Sequence, residues 1–262
     1  MAEENHQEYD DEMITLLASV WGEGYMSPGG PEEVDLVLCG LELEGKSVLD
    51  IGCGAGGVDL HLVEAHQAGR VTGVDIEPGL IARCRRMAAA KGLEHRFEFI
   101  RVEPGPWPFE EETFDVVFSK DAIIHIPDKE ALAHDAYRVL KPGGWFAASD
   151  WLAGYEGPPS PAMQAYIDAE GLGFALANDT RYEAALKDAG FEEVSLNDRN
   201  AWYQDHTRAD RARLAGPLYE PLTAKLGRDY VAHALDIWDK GLVVTDSGEL
   251  RPTHLRGRKP TR

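Results

Sequence analysis

The segment SKDAIIHI, residues 119–126, contains a histidine whose position suits proton transfer. His125 follows the apolar run FDVVFS, which predicts a buried strand, and it stands four positions after Asp121. A histidine can act as a base near neutral pH, because its ordinary pKa is about 6.5. In a helical segment, Asp121 would lie one turn before His125 and would orient its ring or bind a cationic group. A histidine packed under a loop is the alternative interpretation.

The stretch VLDIGCGAGG is a second candidate site, because it leads from an apolar run straight into a helical pattern. Gly52, Gly54 and Gly56 permit a tight turn, and the amides at the start of the helix favour polar atoms of a ligand. The spacing alone does not identify the ligand, since nicotinamide-binding folds use a similar loop.

Three acidic residues stand at the ends of three successive predicted strands and narrow the choice of ligand. Asp50 precedes the glycines, where a carboxylate would repel a pyrophosphate and attract an ammonium group. Asp75 can accept hydrogen bonds from both hydroxyls of a ribose, and Glu103 can accept one from an adenine amino group. This order fits the amino acid, ribose and adenine of S-adenosylmethionine (SAM). We therefore expect SAM as cofactor and S-adenosylhomocysteine (SAH) as its product.

The elements that would position these residues lie between Lys46 and Trp151, where predicted strands and helices alternate. Helical patterns separate five short apolar runs, a rhythm that predicts an α/β fold with a largely parallel sheet. The runs are SVLDIG, RVTGVDI, FEFIRV, FDVVFS and WFAASDW. The helical stretches LIARCRRMAAAKG and KEALAHDAYRVLKPGG both end in glycine after basic residues, which is typical of a helix stop.

The flanks of this region have a different pattern. Helices are predicted before residue 46, with a break at WGEGYMSPGG, and in the stretches MQAYIDAEGLGFAL, TRYEAALKDAG and about 207–240. FEEVSLNDR and LRPTHLRGRK read as strands. These flanks would fold over the carboxyl edge of the sheet, where open α/β folds bind their ligands.

The composition limits the class of partner. The chain has 262 residues, 44% of them hydrophobic, and a net charge of −20, which argues against nucleic acid or an anionic membrane surface. Three cysteines without CxxC spacing predict neither a disulfide framework nor a metal site. The acidic start of the sequence is unlike a signal peptide, and no apolar stretch is long enough for a membrane span. We expect a cytoplasmic protein with a small-molecule substrate.

The motifs VLDIGCGAGG, GVDIEP, FDVVFSKDAIIHI and RVLKPGGWF together resemble the class I SAM-dependent methyltransferases. This resemblance implies a Rossmann-like fold, with a seven-stranded, mostly parallel sheet, helices on both faces and an antiparallel last strand. EYDDEMITLLASVWGEGYMSPGG, SKDAIIHI and the pattern DR...W...SGE.R resemble, more narrowly, the phosphoethanolamine N-methyltransferases. We therefore expect an N-terminal helical cap, 1–45, and a methyltransferase domain, 46–262, whose helical insertions at about 155–180 and 205–240 cover the substrate.

The resemblance also implies roles for individual residues. Ser27 and Gly29 would lie against the cofactor, as would Ile76 after Asp75, and Lys120 and Asp121 would flank it. Tyr9 and His125 would close the active site, with His125 assisting proton removal. The candidate substrate contacts are Tyr25, Tyr166, Tyr182, Arg199, His254 and Arg256.

Two departures from the family concern the phosphate of its substrate. Leu17 stands where the family has a phosphate-gripping tyrosine, and RPTHLRGRK replaces its RWG-like end. Trp21 and Trp202 are candidates for an aromatic cage around a methylated ammonium, whereas Trp145 and Trp151 are expected in the core.

The sequence therefore predicts methyl transfer from SAM to the nitrogen of a small polar amine such as phosphoethanolamine. A different small acceptor, such as an amino acid, a betaine precursor or a thioether sulfur, is the nearest alternative. More distant alternatives are a nicotinamide-dependent oxidoreductase and a SAM-binding regulator.

Overall fold

The apolar runs of the sequence form strands in the computed structural model, which describes residues 9–261. Within this range seven strands form one sheet in the order β3-β2-β1-β4-β5-β7-β6. Strands β1 to β5 are parallel, and β7 pairs antiparallel with both β5 and β6. The predicted sheet is thereby confirmed. The strands are β1 Ser47–Ile51, β2 Arg70–Asp75, β3 Phe97–Arg101, β4 Phe114–Lys120, β5 Leu140–Ala153, β6 Glu192–Asp198 and β7 Leu250–Arg258.

Helices cover both faces of this sheet, because successive residues of each buried strand point to opposite sides. Val48 and Val116 face a core that α2, α3 and α4 share, whereas Leu49 and Val117 face α5 and α7. The helices of the described chain are α1 Asp11–Trp21, α2 Gly30–Val37, α3 Gly57–Glu64, α4 Pro78–Lys91, α5 Lys129–Val139, α6 Pro161–Glu170, α7 Asp179–Asp188, α8 Asn200–Ala215, α9 Tyr219–Leu226 and α10 Arg228–Asp246.

Two local predictions are corrected by the structure. The sequence KPGG does not end α5, which stops at Val139, because Pro142 cannot continue a helix and the stretch joins β5 instead. The helix predicted for MQAYIDAEGLGFAL ends at Glu170, since Gly171 takes a left-handed conformation with φ 67°. The stretch of about 207–240 is helical as predicted, and it is divided among α8, α9 and α10.

A separate layer of helices stands beside the sheet. Leu16 of α1 packs in one buried cluster with Leu214, Leu222 and Val231, which belong to α8, α9 and α10. A second cluster joins α6 to α10 through Met163 and Val244. None of the helices between residues 9 and 261 has the length and apolar character of a membrane span. The proposed division at residue 45 stays a prediction, and residues 1–8 lie outside the described part.

Candidate active site

The glycine loop connects β1 to α3 and leaves no room for side chains. Gly52 has φ 73°, and a Cβ there would collide with the Cβ of Ala122, which follows β4. The amide of Gly54 donates to Oδ2 of Asp75 at 3.0 Å, so the loop is fastened to the end of β2. Gly56, with φ 87°, begins α3 in a left-handed conformation that glycine adopts without strain. The loop therefore meets the carboxyl ends of β2 and β4.

The segment between α1 and α2 lies directly on this loop. The amide of Gly57 donates to the carbonyl of Gly24 at 3.1 Å. Nζ of Lys120 donates to Oγ of Ser27 and to the carbonyl of Pro28, both at 2.7 Å. The structure thus brings together Ser27 and Lys120, two residues that the sequence placed at the cofactor. Gly29, with φ 90°, begins α2 in contact with Glu33 and Trp202.

The acids at the strand ends have different surroundings. Asp50 is 1% exposed, and its two carboxylate oxygens have no hydrogen-bond partner among the described residues. Burial first, and the nearby charge of Asp75 second, raise the pKa of Asp50 to about 8. Asp75 accepts from the amides of Gly54 and Glu77, at 3.0 and 2.9 Å. A buried carboxylate without a partner suits a ligand that brings a positive charge, so this end of the site fits the amino group of SAM.

The adenine end of the predicted cofactor site is open to solvent. Ile76 is 47% exposed, which is unusual for a large apolar side chain. The carboxylate of Glu103 forms an ion pair with Arg101 at 3.0 Å on the surface. The roles of both residues toward adenine stay predictions.

His125 lies in a short 3-10 turn after β4, and two groups contact its ring. Nδ1 is 3.1 Å from the carbonyl of Gly173, and Nε2 is 3.4 Å from the hydroxyl of Tyr9. A carbonyl only accepts, so Nδ1 carries the proton and Nε2 of the neutral ring is an acceptor. The ring of Phe174 lies 5.8 Å away, centre to centre. The predicted pair of Tyr9 and His125 is thus in contact, but Gly173 had no signal in the sequence.

Asp121 has no hydrogen bond to His125 in the described structure, so the first of its two predicted roles, that of orienting the ring, is not seen. The residue has φ 56°, which turns the chain away from a helix, and its carboxylate binds Lys120 at 2.8 Å and the hydroxyl of Ser149 at 2.9 Å. The side chains of Lys120 and Asp121 are 3% and 8% exposed. Asp121 therefore fixes Lys120 beneath the segment at Ser27 and presents an edge to the cavity described next.

A cavity of about 300 Å³ opens beside His125, between the sheet edge and the helical layer. Its walls include Tyr9, Trp21, Ser27, Asp121 and Tyr166, which the sequence had singled out. Trp151, expected in the core, also lines it. Sequence reasoning missed several wall residues of α6, α8 and α10, because neither their types nor their spacing marks a site. They are Glu170, Tyr203, Thr207, Tyr230, His233 and Trp238.

Three of the candidate substrate contacts serve the fold instead. The hydroxyl of Tyr182 donates to the buried carboxylate of Asp150, below the site. Arg256 donates to the carbonyls of Val37 and Cys39, at 3.0 and 2.8 Å, and so caps the end of α2. Tyr25 packs against the core cluster of α2, α3 and α4. None of the three lines the cavity, so the structure gives them no contact with a substrate bound there.

Arg199 and His254 also have a partner within the chain. Arg199 binds Glu33 through two nitrogens, at 3.1 and 3.0 Å, and Nε2 of His254 is 2.5 Å from the same carboxylate. Although burial raises the pKa of Glu33, the hydrogen bonds from His254 and Arg199 lower it to about 2. These groups line a small pocket beside the cavity, together with Trp202. The charges of Arg199 and Glu33 are therefore neutralised by each other within the chain.

Comparisons with known proteins bear on the family and the fold of the chain. Residues 48–144 match the family model described as a methyltransferase domain. The chain is 32% identical, over 92% of its length, to phosphoethanolamine N-methyltransferase 3 of Arabidopsis thaliana, of which it covers 48%. It is 35% identical, over 73% of its length, to phosphoethanolamine N-methyltransferase 1 of Triticum aestivum, of which it covers 38%. The chain thus spans half or less of the length of these curated relatives.

A solved structure extends the likeness to nearly the whole fold. Phosphoethanolamine N-methyltransferase 2 of Haemonchus contortus, in complex with phosphomonomethylethanolamine and SAH, superposes with a TM-score of 0.88. The match covers 97% of this chain and 59% of that one, at 25% identity. By sequence and fold, residues 48–144 therefore belong to a class I methyltransferase domain, and the chain around them resembles the phosphoethanolamine N-methyltransferases.

Proposed function

We propose that this chain transfers a methyl group from SAM to the nitrogen of a small polar amine, with His125 assisting the removal of a proton. The observation that carries the proposal is the setting of the imidazole. Gly173 holds Nδ1, so that Nε2 is an acceptor on the side of Tyr9 and the cavity. Most amines are protonated at neutral pH and have no lone pair to attack with, so a base with a pKa near neutrality is useful.

The residues around the glycine loop would hold the cofactor, which supplies a methyl group on a positively charged sulfur. Asp50 would accept from its amino group and Asp75 from its ribose hydroxyls, with Ile76 and Glu103 toward the adenine. Support comes from the unpartnered carboxylate of Asp50 and from the exposed side chain of Ile76. Ser27 and Lys120 would close the site from above through their mutual hydrogen bond.

The protein's own contribution is placement and the handling of one proton. The hydroxyl of Tyr9 donates to Nε2 of His125 in the described geometry. An ammonium group that enters the cavity would replace this donor and pass its proton to Nε2. The aromatic walls would keep water from competing with the amine.

The curated relatives are named for phosphoethanolamine, and the Haemonchus structure contains phosphomonomethylethanolamine. Both compounds are amines, so these proteins support an amine as acceptor. Other small acceptors remain alternatives. A thioether sulfur carries a lone pair at every pH, so it would make no use of His125 as a base.

The test is a panel of acceptors incubated with the purified chain and labelled SAM. The panel contains small amines, phosphorylated amines, amino acids and thioethers, and mass spectrometry locates the new methyl group. We expect methylation at nitrogen and, in separate titrations, binding of SAH but not of NAD. Methylation at sulfur alone would contradict the proposed acceptor, and binding of NAD without SAH would contradict the proposed enzyme class.

A further inference from the structure

The described wall of the cavity beside His125 contains no lysine or arginine, and residues 1–8 contain neither type. His125 and His233 are its two groups that can become positively charged. The acidic groups are three, namely Asp10, Asp121 and Glu170. A phosphate or carboxylate inside this space would therefore meet more negative than positive groups, which disfavours its entry.

Two cations next to residues of the cavity wall, Lys120 and Arg199, already have partners within the chain. Nζ of Lys120 has three hydrogens, and it makes three hydrogen bonds, to Ser27, Pro28 and Asp121, at 2.7, 2.7 and 2.8 Å. Arg199 is held by Glu33 in a two-pronged ion pair. A phosphate could recruit either group only by breaking these bonds, which would leave the buried Asp121 with the Ser149 hydroxyl alone or the buried Glu33 with His254 alone.

The walls are suited to the opposite charge. Glu170, on α6, accepts from the hydroxyl of Tyr166 at 2.7 Å, and both side chains face the cavity. Burial raises the pKa of Glu170, a change that a cation beside it would reverse. Aromatic rings attract cations over their faces. The rings of the cavity wall are those of Tyr9, Trp21, Trp151, Tyr166, Phe174, Tyr203, Tyr230 and Trp238.

We infer that the acceptor of this cavity is a cationic amine whose remaining part carries no phosphate or carboxylate, and that Glu170 and the surrounding aromatic rings bind its positive charge. This inference rests on the proposed function, since it names the class of amine. It separates the chain from its named relatives in the choice of substrate while keeping their reaction.

The first experiment compares pairs of acceptors that differ only in phosphate. Ethanolamine and N,N-dimethylethanolamine are set against their phosphate esters, with sarcosine as a carboxylate, and initial rates are measured with labelled SAM. We expect kcat/KM of each free amine to exceed that of its ester by about tenfold or more, because the ester adds uncompensated negative charge. A preference for the esters or for sarcosine would overturn this inference and leave amine methylation intact.

The second experiment does not depend on catalysis. Choline and phosphocholine, which cannot accept a further methyl group, are titrated into the SAH-loaded protein by calorimetry. We expect choline to bind at least about tenfold more tightly than phosphocholine. Tighter binding of phosphocholine would overturn the inference. Choline binding without methyl transfer to any amine would support the cavity's selectivity and overturn the proposed function instead.

A pair of variants on α6 tests the acid. Glu170→Gln keeps a hydrogen-bond partner for Tyr166 but removes the charge, so the ratio of choline to phosphocholine affinity should fall by about fivefold. Asp168→Asn removes an exposed charge two residues away and should leave the ratio unchanged. An unchanged ratio in Glu170→Gln, or an equal loss in both variants, would overturn the assignment of Glu170.

Discussion

His125 is positioned by the backbone of a distant segment. The carbonyl of Gly173 fixes the proton on Nδ1, and the loop that carries it follows α6. Asp121, which stands four positions before it in sequence, is engaged by Lys120 and Ser149 instead. Since every residue has a carbonyl, no residue type at position 173 could reveal this role.

Replacing His125 with alanine should lower kcat for an amine by about 100-fold or more, because a general base contributes about 10²–10⁴-fold. The dissociation constant of SAH, measured by calorimetry, should change by less than about twofold. His134→Ala, an exposed histidine of α5, is the matched control. An undiminished kcat in His125→Ala would contradict the role as base and would favour an acceptor such as sulfur.

Asp50 is expected to destabilise the free protein as the pH rises. Its pKa of about 8 in the fold exceeds that of an unfolded carboxyl, near 4, so between these values folding requires uptake of a proton. The stability that the neutral group provides is complete below pH 4. It declines by up to about 1.4 kcal/mol per pH unit as the pH approaches 8.

Asp50→Asn, which cannot ionise, should therefore gain stability over the parent, and the gain should be larger at pH 8 than at pH 6. Denaturant unfolding at the two pH values measures it. The same variant should lose SAH affinity by about tenfold or more, since a charged hydrogen bond is lost. Asp59→Asn, another buried acid without a partner among the described residues, should share the stability effect and keep SAH binding. A gain that is smaller at pH 8 would contradict the linkage.

At the scale of elements, the N-terminal segment and the glycine loop are in direct backbone contact. A Cβ on Gly57 would lie 2.6 Å from the carbonyl carbon of Gly24. Gly57→Ala should therefore lift the segment that carries Ser27 and weaken SAH binding by about tenfold or more.

Gly92→Ala, at the end of α4, is the control for this change. Gly92 has φ 68° with open space around it, so alanine there costs about 1 kcal/mol of stability without touching the loop. Equal SAH affinity in Gly57→Ala and the parent would show that the segment does not help to hold the cofactor.

Arg256 caps the end of α2, and its replacement should affect stability and not substrate binding. Arg256→Met loses hydrogen bonds to three carbonyls, those of Leu36, Val37 and Cys39, which should lower the free energy of unfolding by about 1–3 kcal/mol. KM for the amine should stay within about twofold of the parent. A large rise in KM with unchanged stability would restore the original assignment of Arg256 to the substrate.

The regular elements were largely predictable from the sequence, and the acceptor cavity was not. Buried parallel strands such as SVLDI and FDVVFSK each contain a short apolar run, so their pattern is strong. The glycine loop and the strand-end acids follow from these strands by position. The cavity depends on how α6, α8 and α10 pack, and Glu170 and Tyr203 look like ordinary helix residues. Tertiary contacts, rather than local pattern, decide their role.

At the scale of the whole molecule, the net charge of −20 affects both stability and substrate approach. Raising NaCl from about 0.05 to 0.5 M should raise Tm, because salt screens the repulsion among the acids. The same change should lower kcat/KM for a cationic amine severalfold, since the attraction at long range is screened too. Sucrose, an uncharged solute added at matching concentration as the control, should leave kcat/KM unchanged. A fall in Tm with salt would indicate that ion pairs outweigh repulsion.

The cavity walls join parts of the chain that are far apart in sequence. The indole of Trp21 donates to Asp210, 189 positions later, and Arg213 donates to the carbonyl of Val20, 193 positions earlier. Contacts of such separation close large loops and form late in folding. During synthesis the glycine loop and its neighbouring strands would therefore be complete while α1 still lacked its partners. A nascent chain should therefore be able to bind the nucleoside part of the cofactor before the cavity that shields the acceptor from water has formed.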